Sequence, residues 1–153
     1  MPTLRIDADS ENLAAIRGFV RAEAAAVGAP DDAVADLVQA VDEAATNVIV
    51  HGYRDGAPGT IEVHLVGRDG EVAVRIVDDA PAFDPTVVPE PDLSAPLARR
   101  PIGGMGVHLI RGLCDDVRYR RSADGRNELT MTKRTSIGTS TSTKAEEDSW
   151  ISR

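Results

Sequence analysis

Apolar and polar residues alternate or recur along the chain in patterns that predict its secondary structure. The segment TLRIDA near the N-terminus has the alternation of a short strand. Asp9 or Ser10 can cap the helix that follows, and this helix is predicted to run to about Val27, because Gly28 and Pro30 then end it. The chain therefore begins with a strand and a helix.

A second helix is predicted from Asp31 onwards, where acidic side chains are favoured by the positive end of the helix dipole. Its apolar residues recur every three or four positions and form one stripe: Val34, Leu37, Val38, Val41, Ala45 and Val48. Glu43, Asn47 and His51 fall opposite this stripe. The helix thus has an apolar side for packing and a polar side that carries a carboxylate, a carboxamide and an imidazole.

The next two segments, TIEVHLV and EVAVRIV, alternate as strands and are joined by GRDG, which predicts a tight antiparallel hairpin. RDGAPG before them is predicted to be a turn. From Asp79 to Pro101 the pattern is lost, with six prolines in 23 residues. A loop of this length inside a compact domain is usually functional or disordered.

The C-terminal part returns to regular patterns. MGVHLIRGLCDD predicts a third helix entered through glycines, and VRYRR and RNELTMTKR predict a second hairpin that turns at Asp124-Gly125. The serine- and threonine-rich residues 135–153 are expected to be a disordered tail after a domain of residues 1–134. The predicted fold is an α/β (α+β) two-layer sandwich, a mixed, mostly antiparallel sheet covered by three helices.

Composition limits the function classes. The chain has 153 residues, one cysteine and a net charge of -8, so it can bury the core of one domain and forms no intrachain disulfide. The charge argues against direct nucleic-acid binding, and no apolar run is long enough for a membrane span. MPTLRIDADS has no signal-peptide pattern, so the cytoplasm is the expected compartment.

The polar side of the second helix is the first candidate site. Glu43 and Asn47 are four residues apart, so a carboxylate and a carboxamide project toward the same volume. Oxygen ligands of this kind suit Mg²⁺ shared with nucleotide phosphates. On spacing alone, an ordinary polar helix face explains the pair better than a metal site does, although this helix has no basic residue of its own to pair with its acids.

Two further segments carry candidate chemistry, although each taken alone is explained as well by a common structural role, acids at a strand end and turn in the first and a flexible glycine hinge in the second. The strand RIVDDAPAFDP ends in Asp78, a carboxylate that needs hydrogen-bond donors if it is buried, and an adenine amino group is one such donor. RRPIGGMGVHLIRGL has glycines that open a helix, where free N–H groups form an anion site, and Arg99 and Arg100 just upstream could bind phosphate. Neither the P-loop nor the dinucleotide-binding fingerprint occurs.

Taken in order, these segments resemble a known family. VDEAATNVIVHGY is similar to the N motif, E-x-x-x-N, of the histidine-kinase-like (GHKL) ATPases, VDDAPAFDP to their first glycine motif, and RPIGGMGVHLIRGLCDDVRY to their second. The short form with EAATN, FDP, RPIGGMG and NELTMTKR resembles the bacterial anti-sigma-factor serine/threonine kinases. The resemblance covers roughly residues 4 to 134.

The resemblance implies roles for particular residues. Glu43 corresponds to the catalytic base that acts on the attacking hydroxyl, Asn47 to the Mg²⁺ ligand, and Asp78 to the aspartate that contacts the adenine amino group. The glycines that wrap the ATP phosphates correspond to Gly104 and Gly106, and the adjacent Gly103, Met105 and Val107 are also expected to bind ATP. The loop from Asp79 to Pro101 would be the nucleotide lid. Arg99 and Arg100 are added as phosphate ligands on charge and position alone.

The resemblance also implies partners and leaves alternatives. It implies ATP and Mg²⁺ as cofactors, phosphorylation of a serine on an anti-sigma-factor antagonist, binding of a sigma factor, and a homodimer. One residue departs from the family pattern, because Ala80 stands where glycine is usual, and its methyl group could weaken ATP binding. A non-catalytic, nucleotide-switched binding regulator and a regulatory kinase without a sigma factor therefore remain alternatives.

Overall fold

The structure is a computed structural model, and it describes residues 1–53, 58–82, 84 and 104–135. Five strands and three α-helices make up the described part. In chain order they are β1 (Thr3–Asp7), α1 (Leu13–Ala26), α2 (Asp31–Asn47), β2 (Thr60–Arg68), β3 (Glu71–Asp78), α3 (Gly104–Leu113), β4 (Asp116–Arg121) and β5 (Asn127–Arg134). A 3₁₀ turn at Ser10–Asn12 leads into α1, and a π-helical turn at Val48–Gly52 extends α2.

The five strands form one sheet in the order β1-β2-β3-β5-β4. All four neighbouring pairs are antiparallel, so the described sheet contains no parallel pair and the predicted mixed character is not seen there. The three helices pack on one side of it. The predicted two-layer α/β fold is therefore confirmed.

The core lies between the helices and the sheet. Ile16 of α1, Leu37 and Val41 of α2, and Leu65 of β2 are completely buried. Burying each of these side chains stabilises the fold by about 1.5–3 kcal/mol relative to leaving it exposed. The predicted stripe of α2 is confirmed, and three alanines beside it are also buried because α2 contacts both neighbouring helices: Ala33, Ala40 and Ala44.

Both predicted hairpins are confirmed. Gly70 has φ 76° in the turn between β2 and β3, and Gly125 has φ 83° in the turn between β4 and β5. Side chains with a Cβ are strained in this left-handed region, so glycine fits both turns. β3 and β5 then pair along their whole length although the loop and α3 separate them in sequence.

Several predictions lie partly or wholly outside the described residues. These are the RDGAPG turn, most of the loop from Asp79 to Pro101, and the tail after Thr135. The division into a domain of residues 1–134 and a disordered tail of residues 135–153 stays a prediction. Among the helices that the structure describes, none is both long and apolar enough to span a membrane.

Candidate active site

A cavity that is open to solvent lies where α2 and α3 meet the sheet. Its lining is mainly apolar, with Ala44, Val48 and Ile110 on the helix side. Four polar side chains also line it: Asn47, Asp78, Tyr119 and Asn127. An apolar cavity with a few convergent polar groups is the usual form of a small-molecule site.

Asn47 is the last residue of α2, and its carboxamide lies at the cavity. Glu43 is one turn earlier on the same helix and is partly buried. Within the described residues, no hydrogen bond or ion pair occupies either side chain. Both groups are therefore available to a ligand, and the carboxamide and carboxylate oxygens fit the preference of Mg²⁺ for hard oxygen ligands.

Asp78 is the last residue of β3, and it is 4% exposed. Its Oδ1 accepts hydrogen bonds from the Ala80 N–H at 3.0 Å and from Asn127 Nδ2 at 2.9 Å. Burial raises the pKa of this carboxyl group above its usual range, although both hydrogen bonds favour the ionised form. Asp78, which lines the cavity, was predicted to require hydrogen-bond donors if buried. The protein itself supplies two of them.

Asn127 is a site residue that the sequence reasoning missed. Its Nδ2 also donates to the Ala80 carbonyl at 3.0 Å, while its Oδ1 accepts from the Tyr119 hydroxyl at 2.6 Å and from Arg121 Nη1 at 3.0 Å. The side chain therefore connects the end of β3 to β4. In the sequence, the only indication of this role was the asparagine at the start of the predicted strand NELTMTKR. Its pairing with Asp78 depends on the β3–β5 register.

Tyr53 joins the end of the helical segment to the residue after β3. Its hydroxyl lies against the Asp79 carboxylate and accepts a hydrogen bond from the Asp79 N–H at 3.0 Å. The same hydroxyl is 3.0 Å from the Thr60 carbonyl. A Cβ at Gly59 would lie 2.1 Å from the ring of Tyr53, so only glycine leaves room for it. The sequence reasoning also missed this contact.

Ala80, the departure from the family pattern, is 2% exposed and lines the cavity. Its methyl group packs against Gly52, since a Cβ at Gly52 would lie 2.9 Å from the Ala80 Cβ. Gly52 therefore provides room for the extra methyl group. This arrangement explains how the fold accommodates alanine at a position where the family usually has glycine.

The acidic residues of α2 have more partners than the sequence indicated. Asp42 pairs with Arg17 of α1 at 2.8 Å, and Asp36 pairs with Lys133 of β5 at 2.7 Å. The expectation that α2 lacks basic partners holds only within the helix itself, because neighbouring elements supply them. Glu43 has no such partner in the described ranges.

The second glycine motif is described only in part. α3 begins at Gly104, so the predicted glycine entry to this helix is confirmed at the level of the backbone. Arg99, Arg100 and Gly103 lie outside the described residues, and the structure gives no side-chain placement for Met105 and Val107. Their assignment to phosphate binding, like that of Gly106, stays a prediction.

Comparison with known proteins agrees with this geometry. The family of histidine kinase-like ATPase domains matches residues 6–133. This chain belongs to that family. The predicted resemblance to histidine-kinase-like ATPases is therefore confirmed, and the cavity of this histidine kinase-like ATPase domain contains two of its predicted ATP-binding residues, Asn47 and Asp78.

Curated relatives of this histidine kinase-like ATPase domain are named protein kinases. Serine/threonine-protein kinase BtrW of Bordetella bronchiseptica is 35% identical over 96 residues, which are 63% of this chain and 67% of BtrW. Serine-protein kinase RsbW of Bacillus cereus is 29% identical over 118 residues, covering 74% of this chain and 73% of RsbW. Both relatives thus have names in the enzyme class predicted for this chain, the protein serine/threonine kinases.

A solved structure supports the fold of the domain. The crystal structure of the RsbU and RsbW domains of Rv1364c from Mycobacterium tuberculosis superposes with a TM-score of 0.59 and 24% identity. The match covers 94% of this chain and 35% of that chain. The histidine kinase-like ATPase fold therefore corresponds to about a third of a longer protein in that case.

Proposed function

We propose that this chain is an ATP-dependent protein serine/threonine kinase that uses the cavity between α2 and α3. The observation that carries the proposal is the convergence of Asn47 and Asp78 on one cavity, in a chain of the histidine kinase-like ATPase family. The kinase names of BtrW and RsbW support the same enzyme class. ATP is the phosphoryl donor that this family implies.

Asp78 would accept a hydrogen bond from the adenine amino group. Its carboxylate is held in place by Asn127 and by the Ala80 N–H, so the acceptor is positioned before the nucleotide arrives. The phosphates would then lie toward the N-terminus of α3, where the backbone N–H groups of the first turn have no helical partner and the helix dipole favours anions. Gly104 begins that turn.

Glu43 and Asn47 would act at the opposite end of the nucleotide. Asn47 would hold Mg²⁺, which, when bound, neutralises charge on the phosphates. Glu43 would accept the proton of a serine hydroxyl as its oxygen bonds to the γ-phosphorus and the bond to ADP breaks. Their shared helix fixes the spacing of the two groups, and phosphoryl transfer depends chiefly on such positioning and on charge neutralisation.

The resemblance to anti-sigma-factor kinases supports a specific biological role. In this role, the substrate is a serine of an anti-sigma-factor antagonist, and the kinase also binds a sigma factor and holds it inactive. The resemblance further supports a homodimer. Sigma factors act in the cytoplasm, so this role also places the protein there. The names of BtrW and RsbW identify kinases and no partners.

A second function keeps nucleotide binding and omits phosphoryl transfer. Ala80 favours it, because this buried methyl group lines the cavity where the family usually has glycine. In that case ATP would switch the affinity for a protein partner. A regulatory kinase that has no sigma factor as partner is the third possibility, and its chemistry would be the same as in the main proposal.

The deciding experiment measures ATP binding and phosphoryl transfer separately. Calorimetry with ATP and Mg²⁺ tests binding by the folded chain. Single-turnover transfer of labelled phosphate to a purified antagonist tests the kinase, and isolation of the antagonist or sigma factor from the same cell identifies the partner. ATP binding without transfer to the true partner would select the regulator, whereas absence of ATP binding would exclude all three functions.

A further inference from the structure

The side of the sheet opposite the helices carries charged residues from all five strands, and Arg75 is the one from β3. Arg5, Glu62, Val77, Glu128 and Arg120 are aligned as successive partners across β1, β2, β3, β5 and β4. Neighbours of these residues on β1, β2, β3 and β5 belong to the helix-covered core, so this row lies on the other side of the sheet. No helix of the described residues packs there.

Two glutamates in this row are each shared by more than one cation. Glu62 pairs with Arg5 at 2.8 Å and with Arg126 at 2.9 Å, and His64 lies 3.6 Å away. Burial disfavours the ionised form of Glu62, but the hydrogen bond and charge of Arg126, together with the charges of His64 and Arg5, hold its pKa below the usual range. Glu62 thus forms ion pairs with two arginines at once.

Glu128 repeats the arrangement on β5. Arg120 lies 3.2 Å from its Oε2 and Arg75 lies 4.0 Å from the same oxygen. Arg118 stands beside this group and pairs with Asp116 at 2.7 Å. We call the following five residues the arginine face: Arg5, Arg75, Arg118, Arg120 and Arg126.

Arg5 and Arg120 have N–H donors that remain open to solvent. The Arg5 and Arg120 side chains are 63% and 56% exposed although each is in an ion pair. A guanidinium group has five N–H donors, and a shared carboxylate engages only some of those on two arginines. Arg5 and Arg126 share the single carboxylate of Glu62, so this group of three side chains has an excess of one positive charge.

This excess contrasts with the rest of the molecule. The whole chain has a net charge of -8, and residues 9–43, which include α1 and most of α2, contain eight acidic side chains and two arginines. The negative charge is therefore concentrated on the helix side. Among the described residues, the opposite face carries arginines and no lysine, and arginine is the cation that is enriched at protein interfaces and that binds carboxylates through two parallel hydrogen bonds.

We propose that the arginine face is a docking surface for an acidic segment of a partner protein. Exposed arginines would bind carboxylates of the segment in addition to Glu62 and Glu128. Those two glutamates also disfavour a nucleic acid, because a continuous phosphate backbone would have to pass over them. The surface is on the opposite side of the sheet from the ATP cavity, so a partner can remain bound during nucleotide exchange.

The test compares two variants of equal charge in the full-length chain. Arg5→Gln with Arg120→Gln removes two exposed cations from the arginine face. Arg17→Gln with Arg21→Gln removes two cations from α1 on the opposite side and is the matched control. The probe is a fluorescein-labelled, glutamate-rich peptide of about 16 residues, followed by fluorescence anisotropy at low salt without ATP. Peptide binding is thus measured independently of kinase activity.

We expect the unmodified chain to bind the peptide and the Arg5/Arg120 variant to bind it about tenfold more weakly, with the control close to the unmodified chain. Salt should weaken binding in each case. No binding by the unmodified chain, or equal loss in both variants, would overturn the proposal. Tighter binding of a single-stranded DNA of equal charge would instead assign the face to nucleic acid. Dissociation of a dimer by the Arg5/Arg120 substitutions would assign it to a second copy of the chain.

Discussion

Ala80 and Gly52 are packed against each other so closely that only one of them can carry a Cβ. A Cβ added to Gly52 would lie 2.9 Å from the Cβ of Ala80, and Ala80 itself is 2% exposed. Gly52 ends the helical segment that carries the proposed magnesium ligand, whereas Ala80 follows the strand that carries the proposed adenine acceptor. The two halves of the candidate site therefore meet at this contact.

The first prediction is that these two residues can be exchanged. Gly52→Ala alone should lower the free energy of unfolding by about 1–3 kcal/mol because it overpacks the contact. Ala80→Gly alone should cost about 1 kcal/mol through the lost methyl group and added backbone freedom. The double variant should lose less unfolding free energy than the two single variants lose in sum. Urea unfolding of all four proteins in a double-mutant cycle measures this difference.

ATP affinity of the same variants tests whether Ala80 weakens nucleotide binding. Because the methyl group packs on Gly52, Ala80→Gly should change ATP affinity by less than about threefold, which is under 1 kcal/mol. An increase of tenfold or more on this substitution would mean that the methyl group occupies space that adenine needs. That result would strengthen the non-catalytic alternative for the native chain.

The second prediction concerns the Tyr53 hydroxyl and pH. Tyr53→Phe should lower the free energy of unfolding at neutral pH by about 1–2 kcal/mol, because it leaves the Asp79 N–H and carboxylate without this partner. Tyr53 holds the pKa of Asp79 below its usual range. The stability from this pair is thus complete above the ordinary aspartate pKa of about 3.9 and is lost as pH falls through the lower folded value.

Chemical denaturation of the unmodified chain and the Tyr53→Phe variant across pH 3–7 measures this effect. The difference in unfolding free energy between the two proteins should be constant above about pH 5 and should shrink below about pH 4. Burial and the nearby Asp79 raise the pKa of the Tyr53 phenol, so it remains a donor throughout this range. A difference that does not vary with pH would show that the hydroxyl acts mainly through Thr60 and the Asp79 N–H.

Local sequence patterns were sufficient to predict most of the fold. Alternating segments with a turn between them define their own hairpin register, as in β2–β3, and the stripe of α2 identifies the side that packs. The β3–β5 pairing is different, because a long loop and a helix separate the two strands, and no local pattern sets their alignment. Asn127 was missed for this reason.

The site was predictable where one element carries both groups. Glu43 and Asn47 share a helix, so their spacing in sequence determines their spacing in space. The contacts of Tyr53 with Asp79 and of Gly52 with Ala80 join residues 26 and 28 positions apart, across β2 and β3. Such contacts depend on tertiary packing and could not be predicted from the amino-acid sequence alone.

The third prediction is that Asn127 supports the adenine acceptor. Asn127→Ala would leave the buried Asp78 carboxylate and the Ala80 carbonyl without the donor that Asn127 supplies, and would also remove the acceptor of the Tyr119 hydroxyl. We expect a loss of about 2–4 kcal/mol in unfolding free energy and weaker ATP binding. Asn127→Gln retains the amide and is the control. Full stability in the alanine variant would contradict the assigned network.

The fourth prediction tests base recognition by Asp78. Asp78→Asn retains the size of the side chain but adds donors where adenine would present its amino group. The variant should lose affinity for ATP more than for GTP, so that the preference for adenine falls, as measured by calorimetry with both nucleotides. Equal losses for ATP and GTP would place Asp78 outside the base-binding part of the cavity.

The fifth prediction separates catalysis from nucleotide binding through the different roles of Glu43 and Asn47. Glu43→Gln keeps the size of the side chain and removes the base, so ATP binding should persist while phosphoryl transfer falls by about 100-fold or more. Asn47→Ala removes the proposed magnesium ligand, so ATP binding and transfer should decline together. Both proteins should fold normally, because neither side chain is part of the buried stripe of α2.

Single-turnover transfer of labelled phosphate to a purified antagonist, together with ATP affinity for each variant, measures both effects. Thr46→Ser is a control on the same turn of α2, because its hydroxyl bonds to the Asp42 carbonyl rather than to the cavity. Transfer by Glu43→Gln at the rate of the unmodified chain would remove the base assignment. If Glu43→Gln instead lost ATP affinity as Asn47→Ala does, the carboxylate would be acting through the metal or the nucleotide, and the proton of the serine would require another acceptor.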